Sequence, residues 1–221
     1  MNKSNKNKPI LPNTLLDAES DIFESLKFYL DNTSNNRLSI SLKFENLRLN
    51  PVVYRLYNNL QKLNKTSILL WADAGGAALA KRDMKNLENS IYSFKEFISC
   101  LSNFNQEQII IAVNPQPFDF EEFKEICDSF IGKIIMLNGK LEDMAVGIGN
   151  VGRERRKQFI YSWKNVYWLQ PFNGAALMKD KTNDWYLFKQ RDDGYIFCES
   201  FENKPDEESI LFSLSNLQDI R

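Results

Sequence analysis

Histidine is absent from all 221 residues of this sequence. The absence removes the most common general base, the most common transition-metal ligand and the usual partner of a nucleophilic Ser or Cys. Catalysis through Asp, Glu, Lys or Tyr stays open, but most hydrolase constellations are excluded. We therefore assign no catalytic residue, metal site or cofactor, and we favour a protein that is not an enzyme.

Cysteine pairs, phosphate loops and long apolar runs are also missing. Cys100, Cys127 and Cys198 are far apart and form no CxxC pair, which predicts reduced thiols and argues against a zinc site. No GxxxxGK[ST] motif occurs. No stretch approaches the roughly 18 apolar residues that cross a bilayer, and the basic N-terminus leads into no signal-peptide core. We expect a soluble, cytoplasmic protein with a disordered segment at residues 1–8.

The composition is otherwise that of an ordinary globular protein. Hydrophobic residues make up 43% of the chain, charged residues make up 26%, and the formal net charge is −1. A chain this close to neutrality has no overall electrostatic attraction for nucleic acid. We therefore expect no nucleic-acid partner.

Apolar runs and helical patterns alternate along the first three quarters of the chain. Strands are predicted at 37–45, 68–71, 108–113 and 133–137, and helices at 15–32, 51–63, from about 77 to 87, 119–130 and 153–165. The assignment of 91–104 stays open between a strand and an irregular connection. This alternation predicts a parallel sheet with helices on both faces.

The pattern changes after residue 165. Four strands at 166–170, 175–179, 184–190 and 195–201 follow at hairpin spacing, with Asp193-Gly194 as the strongest turn signal. Pro205 opens a closing helix. The sequence predicts an α/β fold, with a mostly parallel, Rossmann-like sheet extended by C-terminal antiparallel strands. We expect one domain over 9–221, made of the alternating part (9–165), the antiparallel extension (166–203) and the closing helix (205–221).

Three predicted strand ends carry polar residues. Asp73 follows the strand at 68–71 and precedes two glycines and a helix, a loop type that binds anions in many α/β proteins. If the strands are parallel neighbours, these ends meet at one edge. The alternative is that Asp, Asn and Gly stand there because they end strands anyway. The candidate ligand-binding residues are Asp73, Gly75, Gly76, Arg82, Asn114 and Asn138.

A glycine loop followed by a basic helix forms a second candidate region. The run 147–152 matches GxGxxG, but it lies late in the chain and no acid follows the next strand, which argues against a dinucleotide site. The basic run 153–157 suits an acidic partner or a phosphate, or is simply a solvated helix face. The candidate residues are Gly147, Gly149, Arg153, Arg155 and Arg156.

An ordered set of motifs extends over almost the whole chain. They are Leu11-Pro12, the stretch from Trp71 to Asp83, Val113-Asn-Pro115, Asn138 to Asp143, Val146-Gly-Ile-Gly149, Arg155 to Phe159 and Tyr167 to Ala176. With these motifs the sequence resembles an uncharacterised cyanobacterial and chloroplast domain family that includes the plant low photosystem II accumulation protein. The same domain is also found fused to a chloroplast adenylate kinase.

The resemblance implies a soluble auxiliary factor in photosystem II accumulation or assembly, acting by protein binding. It implies a photosystem II subunit or assembly intermediate as partner and peripheral association with the cytoplasmic face of the thylakoid. It transfers no active-site residue. The alternative hypothesis from the residues themselves is a protein that binds a small molecule, such as a nucleotide or another phosphate-bearing compound, at the strand ends around 73–76.

Overall fold

The computed structural model describes residues 9–141 and 150–216. The helices are α1 (Leu15–Asn32), α2 (Leu49–Lys62), α3 (Ala74–Asp83), α4 (Phe94–Ser99), α5 (Phe120–Ser129), α6 (Asn150–Tyr161) and α7 (Glu207–Asn216), with short 3-10 turns at Lys85–Ser90, Leu101–Asn103 and Pro117–Asp119. The strands are β1 (Arg37–Leu42), β2 (Ser67–Trp71), β3 (Ile91–Ser93), β4 (Ile109–Val113), β5 (Lys133–Leu137), β6 (Lys164–Phe172), β7 (Ala175–Lys179), β8 (Trp185–Arg191) and β9 (Gly194–Phe201).

Contacts between Cα atoms divide the chain into two compact units. The parallel-sheet unit comprises residues 29–41 and 45–165, and the antiparallel-sheet unit comprises 1–28, 42–44 and 166–221. The fold class predicted from the sequence is confirmed, because a parallel α/β part precedes a run of antiparallel strands. The single domain over 9–221 stays a prediction.

Parallel strands in the order β3-β2-β4-β5-β1 form the sheet of the first unit. Every residue of β2 and β4 is buried, as expected for central strands covered on both faces. The strands end level with one another, since Trp71 lies beside Val113, and Val113 beside Leu137. The carboxyl ends of β2, β4 and β5 therefore share one edge.

Helices cover this sheet on two faces. Ile68 and Leu70 belong to a cluster on one face, to which α4, α5 and the C-terminal part of α6 contribute Phe94, Phe97, Phe120, Phe123, Ile126 and Phe159. The alternating residue Trp71 points to the opposite face. There it meets α3 so closely that a Cβ on Gly76 would lie 3.1 Å from Trp71 Cδ1. The helices that follow β2 and β4 thus lie on opposite faces.

The antiparallel-sheet unit contains the ladder β6-β7-β8-β9. Gly174 and Gly194 take positive φ values of 74° and 132° in its hairpin turns, which glycine adopts without steric cost. Trp168, Leu177 and Trp185 form its small buried cluster. On the last helix, α7, the apolar side chain of Leu211 is 61% exposed.

Several boundaries differ from the sequence-based expectation. The strand predicted at 37–45 ends at Leu42, and the helix predicted at 153–165 is Asn150–Tyr161, because residues 164 and 165 already belong to β6. The third helix ends at Asp83 and gives way to a 3-10 turn, whereas helical spacing extended the prediction to about residue 87. The open region 91–104 begins with a three-residue strand, followed by α4, which Ser93 and Glu96 start with reciprocal capping hydrogen bonds. Three residues are too few to show a strand period. Among the described helices, none is long and apolar enough to span a bilayer.

Candidate functional site at the carboxyl edge of the parallel sheet

The polar strand ends predicted from the sequence lie on neighbouring strands. Asp73 follows β2, Asn114 follows β4 and Asn138 follows β5. The Asn114 amide donates to the Leu137 carbonyl over 2.7 Å, and the Asn138 amide donates to the Ile40 carbonyl over 2.8 Å. The expectation that these ends adjoin at one edge is confirmed, while their role in binding stays a prediction.

The helices that follow the neighbouring strands β2 and β4 lie on opposite faces of the sheet. The chain leaves β2 towards α3 on one face and leaves β4 towards α5 on the other. Adjacent loops that diverge in this way leave a crevice outside the strand ends, where open α/β sheets bind their ligands. The N-terminus of α3, capped by Asp73, lies on one side of this position, and residues 114–119 lie on the other.

Asp73 is the N-cap of α3. Its Oδ1 accepts a hydrogen bond from the Gly76 amide over 2.8 Å, and the Asp73 side chain is exposed. The helix begins at Ala74, so Gly75 and Gly76 lie in its first turn and not in a preceding loop. The Gly76 amide is therefore satisfied within the protein, and its missing Cβ serves the close approach to Trp71.

Asn114 and Asn138 have backbone conformations that explain their residue type. Their φ values are 53° and 55°, and each non-glycine residue with positive φ in the described ranges is an asparagine. Asparagine adopts this left-handed conformation more readily than other side chains. Asn138 is 9% exposed, and Asn114 is half-buried with its carbonyl accepting from Gln116 Nε2.

Asp119 is a residue of this edge that the sequence interpretation missed. It is half-buried in the 114–119 loop, where Oδ2 accepts from the Gln116 amide over 2.7 Å. Burial raises the pKa of its carboxyl, and the negative charges of Glu122 and Asp73 raise that pKa further, against the opposing hydrogen bond from Gln116. The carboxyl of Asp73 is therefore close enough to Asp119 for its charge to act on it. In the sequence, Asp119 stands at the start of the helix predicted at 119–130, where acidic residues are common without any role in binding.

Phe118 lies in the same loop as Asp119. Its side chain is 79% exposed, within the 3-10 turn that leads from β4 into α5. An aromatic ring this exposed is costly to leave in water and is suited to contact a ligand or partner.

Arg82 does not belong to the edge. It lies nine positions after Asp73, which corresponds to about 13 Å along a helix. Its side chain is 72% exposed, and its Nη2 is 3.4 Å from Asp83 Oδ1.

The basic run of α6 separates into an outer and an inner part. Arg153 and Arg155 are exposed, whereas Arg156 is only 9% exposed and its guanidinium carbon lies 4.5 Å from the centre of the Phe120 ring. Gly147 and Gly149 lie outside the described residues. Within the described ranges, 9–141 and 150–216, no group of Asp, Glu and Cys side chains is arranged to hold a metal ion.

These features define an α/β protein with a doubly wound parallel sheet whose carboxyl edge carries polar residues. Residues 12–211 match the family described as Domain of unknown function (DUF1995). Because this match covers most of the chain, the protein belongs to the DUF1995 family, and the expected membership in an uncharacterised domain family is confirmed. A comparison with curated proteins finds no match. The function must therefore be argued from the site.

Proposed function

We propose that the protein binds a small molecule in the crevice between β2 and β4, through the carboxyl groups of Asp73 and Asp119. The observation that carries the proposal is the position of these two acids on the two loops that diverge there. No described Lys or Arg forms an ion pair with either carboxyl. Their free acceptor capacity suits a ligand that donates hydrogen bonds from hydroxyl or amine groups.

Substitutions that keep the helix caps test this proposal. Asp73→Asn and Asp119→Asn each retain an oxygen for the backbone amide that the carboxyl caps, but they remove the negative charge. We expect nucleosides, sugars and polyamines, screened by thermal shift, to include compounds that stabilise the wild-type chain. A ligand that binds only the folded state raises Tm. Both variants should therefore show a smaller rise in Tm, because each lacks one carboxylate that accepts hydrogen bonds from the ligand.

A charge-removing amide variant away from the edge is the matched control. Glu107 is exposed and lies at the opposite end of β4, so Glu107→Gln should leave the ligand-induced shift unchanged. If no compound stabilises the wild-type chain at millimolar concentration, or if both edge variants respond like the wild type, the proposal fails.

A second candidate function is an auxiliary role in photosystem II accumulation or assembly through protein binding. It is supported by the family-like motifs and by exposed apolar residues of the antiparallel-sheet unit. Leu211 and Phe212 on α7 are 61% and 68% exposed, and Tyr195 on the edge strand β9 is 41% exposed. Such residues favour a protein contact when they lie on one surface.

Capture of photosystem II polypeptides tests this second function. The tagged chain, incubated with solubilised thylakoids, should retain a photosystem II subunit identified by mass spectrometry. The double variant Leu211→Asp and Phe212→Asp should lose it, whereas Glu107→Gln should not. Retention of no photosystem II subunit, or equal retention by the double variant, would contradict this role.

A further inference from the structure

Arg156 is a buried cation that packs against Phe120, the first residue of α5. It is 9% exposed and lies over the Phe120 ring. Phe120 is the first residue of α5 and directly follows Asp119 in the chain. Phe120 also packs edge-to-face against Phe159 of α6, with ring centroids 5.3 Å apart. The guanidinium of Arg156, which extends from α6, thus lies against the start of α5.

Two of the three guanidinium nitrogens have no hydrogen-bond acceptor within the described ranges. Nε and Nη1 are buried and have no acceptor among the residues that the structure describes. An arginine stays protonated in proteins, so these N–H groups cannot be removed by deprotonation. The Phe120 ring attracts the charge but accepts no conventional hydrogen bond. A buried charge with two unsatisfied N–H-bearing nitrogens is unfavourable, which indicates a missing anionic partner.

The neighbouring cations of α6 are in a different situation. Arg153, Arg155 and Lys157 are exposed to solvent, which solvates their charge. Arg156 is the cation of this run that is removed from water, and a guanidinium in such a place forms strong hydrogen bonds with carboxylates and phosphates. The contrast identifies Arg156, and not the charge of the helix as a whole, as the feature that selects a ligand.

We infer that the ligand of the crevice carries an oxyanion, phosphoryl or carboxylate, that accepts hydrogen bonds from Arg156. This inference rests on the proposed function and specifies the ligand further. Hydroxyl or amine groups of the ligand bind the Asp73 and Asp119 carboxyls, and its anionic group binds the guanidinium next to Phe120. The ligand class is therefore a small hydroxy- or amino-substituted acid or phosphate ester.

Thermal shift of the full chain with simple oxyanions tests the assignment. Inorganic phosphate, sulfate and succinate are compared with sodium chloride at equal ionic strength, for the wild type, Arg156→Met, Arg156→Lys and the exposed control Arg155→Met. At tens of millimolar anion, the wild type and Arg155→Met should gain about 3 °C in Tm over chloride. Arg156→Met should gain nothing, and Arg156→Lys should gain less than the wild type because it keeps a point charge without the planar fork.

Two results would overturn the inference. One is an equal gain for Arg156→Met and the wild type, and the other is the absence of any gain in the wild type with all three oxyanions. Circular dichroism checks that Arg156→Met folds, and removal of an unpaired buried charge should leave it at least as stable as the wild type in chloride. If this variant does not fold, Arg156→Lys decides, since an undiminished gain in it contradicts the guanidinium's role.

The same measurements separate this inference from the proposed function. If uncharged polyols stabilise the wild type but not Asp119→Asn, while oxyanions act equally on the wild type and Arg156→Met, the crevice stands and the oxyanion inference fails. If the oxyanion gain depends on Arg156 but no ligand responds to Asp73→Asn or Asp119→Asn, the guanidinium binds anions and the carboxyl crevice fails.

Discussion

Asn114 and Asn138 end neighbouring parallel strands in the same left-handed backbone conformation, with φ values of 53° and 55°. The amide of Asn114 donates to the carbonyl of Leu137, the residue before Asn138. The two residues thus take the same left-handed conformation at the same level of the sheet. The left-handed conformation is sufficient to explain why asparagine occurs at both positions, without a role in ligand binding.

This relationship predicts a difference between two substitutions of Asn114. Alanine is strained in the left-handed region, so Asn114→Ala should lower the free energy of unfolding by about 1 kcal/mol. Glycine is not strained there, and Asn114→Gly should stay within about 0.5 kcal/mol of the wild type. Urea denaturation measures both, with Asn89→Ala, an exposed asparagine outside the positive-φ set, as control. Equal stability of the Ala and Gly variants would contradict a conformational role.

An ion pair on the α5 side of the parallel-sheet unit predicts a pH-dependent contribution to stability. Arg37 Nη2 is 2.9 Å from Asp128 Oδ1, and Arg37 Nη1 donates to Ser162 Oγ over 2.9 Å. Burial opposes ionisation of Asp128, but Lys124 and Arg37 outweigh it and lower the pKa of this carboxyl. A lowered pKa stabilises the folded state above the carboxyl's ordinary pKa of about 4 and loses this effect as the pH falls through the folded value.

Asp128→Asn should therefore be less stable than the wild type at pH 7, by about 1 kcal/mol because the carboxyl is half exposed. The difference should shrink below about pH 4. Urea denaturation from pH 3 to pH 7 measures it, and Glu107→Gln, whose side chain has no described ion pair, should show no such trend. A difference that is constant with pH would exclude the ion pair as its source.

Cys127 should be unreactive in the folded protein. It is 6% exposed, and burial raises the pKa of its thiol to about 12. At pH 8 the thiolate, which is the reactive form, is then about one part in ten thousand of the population. In the Cys100→Ser, Cys198→Ser double variant, a thiol reagent should modify Cys127 only at the rate of unfolding, and urea should accelerate the reaction. Rapid modification in buffer without urea would show that the thiol is accessible.

Tyr167 carries a hydroxyl whose removal should stabilise the protein. The residue is fully buried, and within the described ranges its Oη has no hydrogen-bond partner. Burial raises the pKa of this phenol, and the carboxylates of Asp21 and Asp180 act in the same direction. Tyr167→Phe should raise the free energy of unfolding by about 1 kcal/mol, because an unsatisfied buried hydroxyl is lost.

Tyr186 provides the contrast for this measurement. Its Oη is hydrogen-bonded to Thr182 Oγ1, so Tyr186→Phe removes a satisfied hydroxyl and should lower stability in the same urea titration. If Tyr167→Phe lowers stability as much as Tyr186→Phe does, the Tyr167 hydroxyl has a partner in solution, such as a water molecule.

Local sequence patterns predicted much of the fold. Short apolar runs bounded by turn residues located β2, β4 and β5, and the strands at 133–137 and 175–179 have the predicted bounds. Such runs are recognisable because burial on both faces demands apolar residues at every position. The sequence did not decide between a strand and an irregular connection at β3, since its three residues become a strand only by pairing with β2.

By itself, then, the sequence determined the class of fold, the absence of histidine chemistry and the left-handed strand ends at which asparagine stands. These properties depend on residue type and near neighbours. Only the tertiary structure decided that Asp119 shares an edge with Asp73, because that requires β4 to lie beside β2 although a third strand intervenes in the chain. It likewise decided that Arg156 is buried against Phe120 while Arg155 stays in water. Arg155 and Arg156 have the same side chain, so the sequence cannot distinguish them. Packing buries Arg156 and leaves two of its nitrogens without hydrogen-bond acceptors among the described residues.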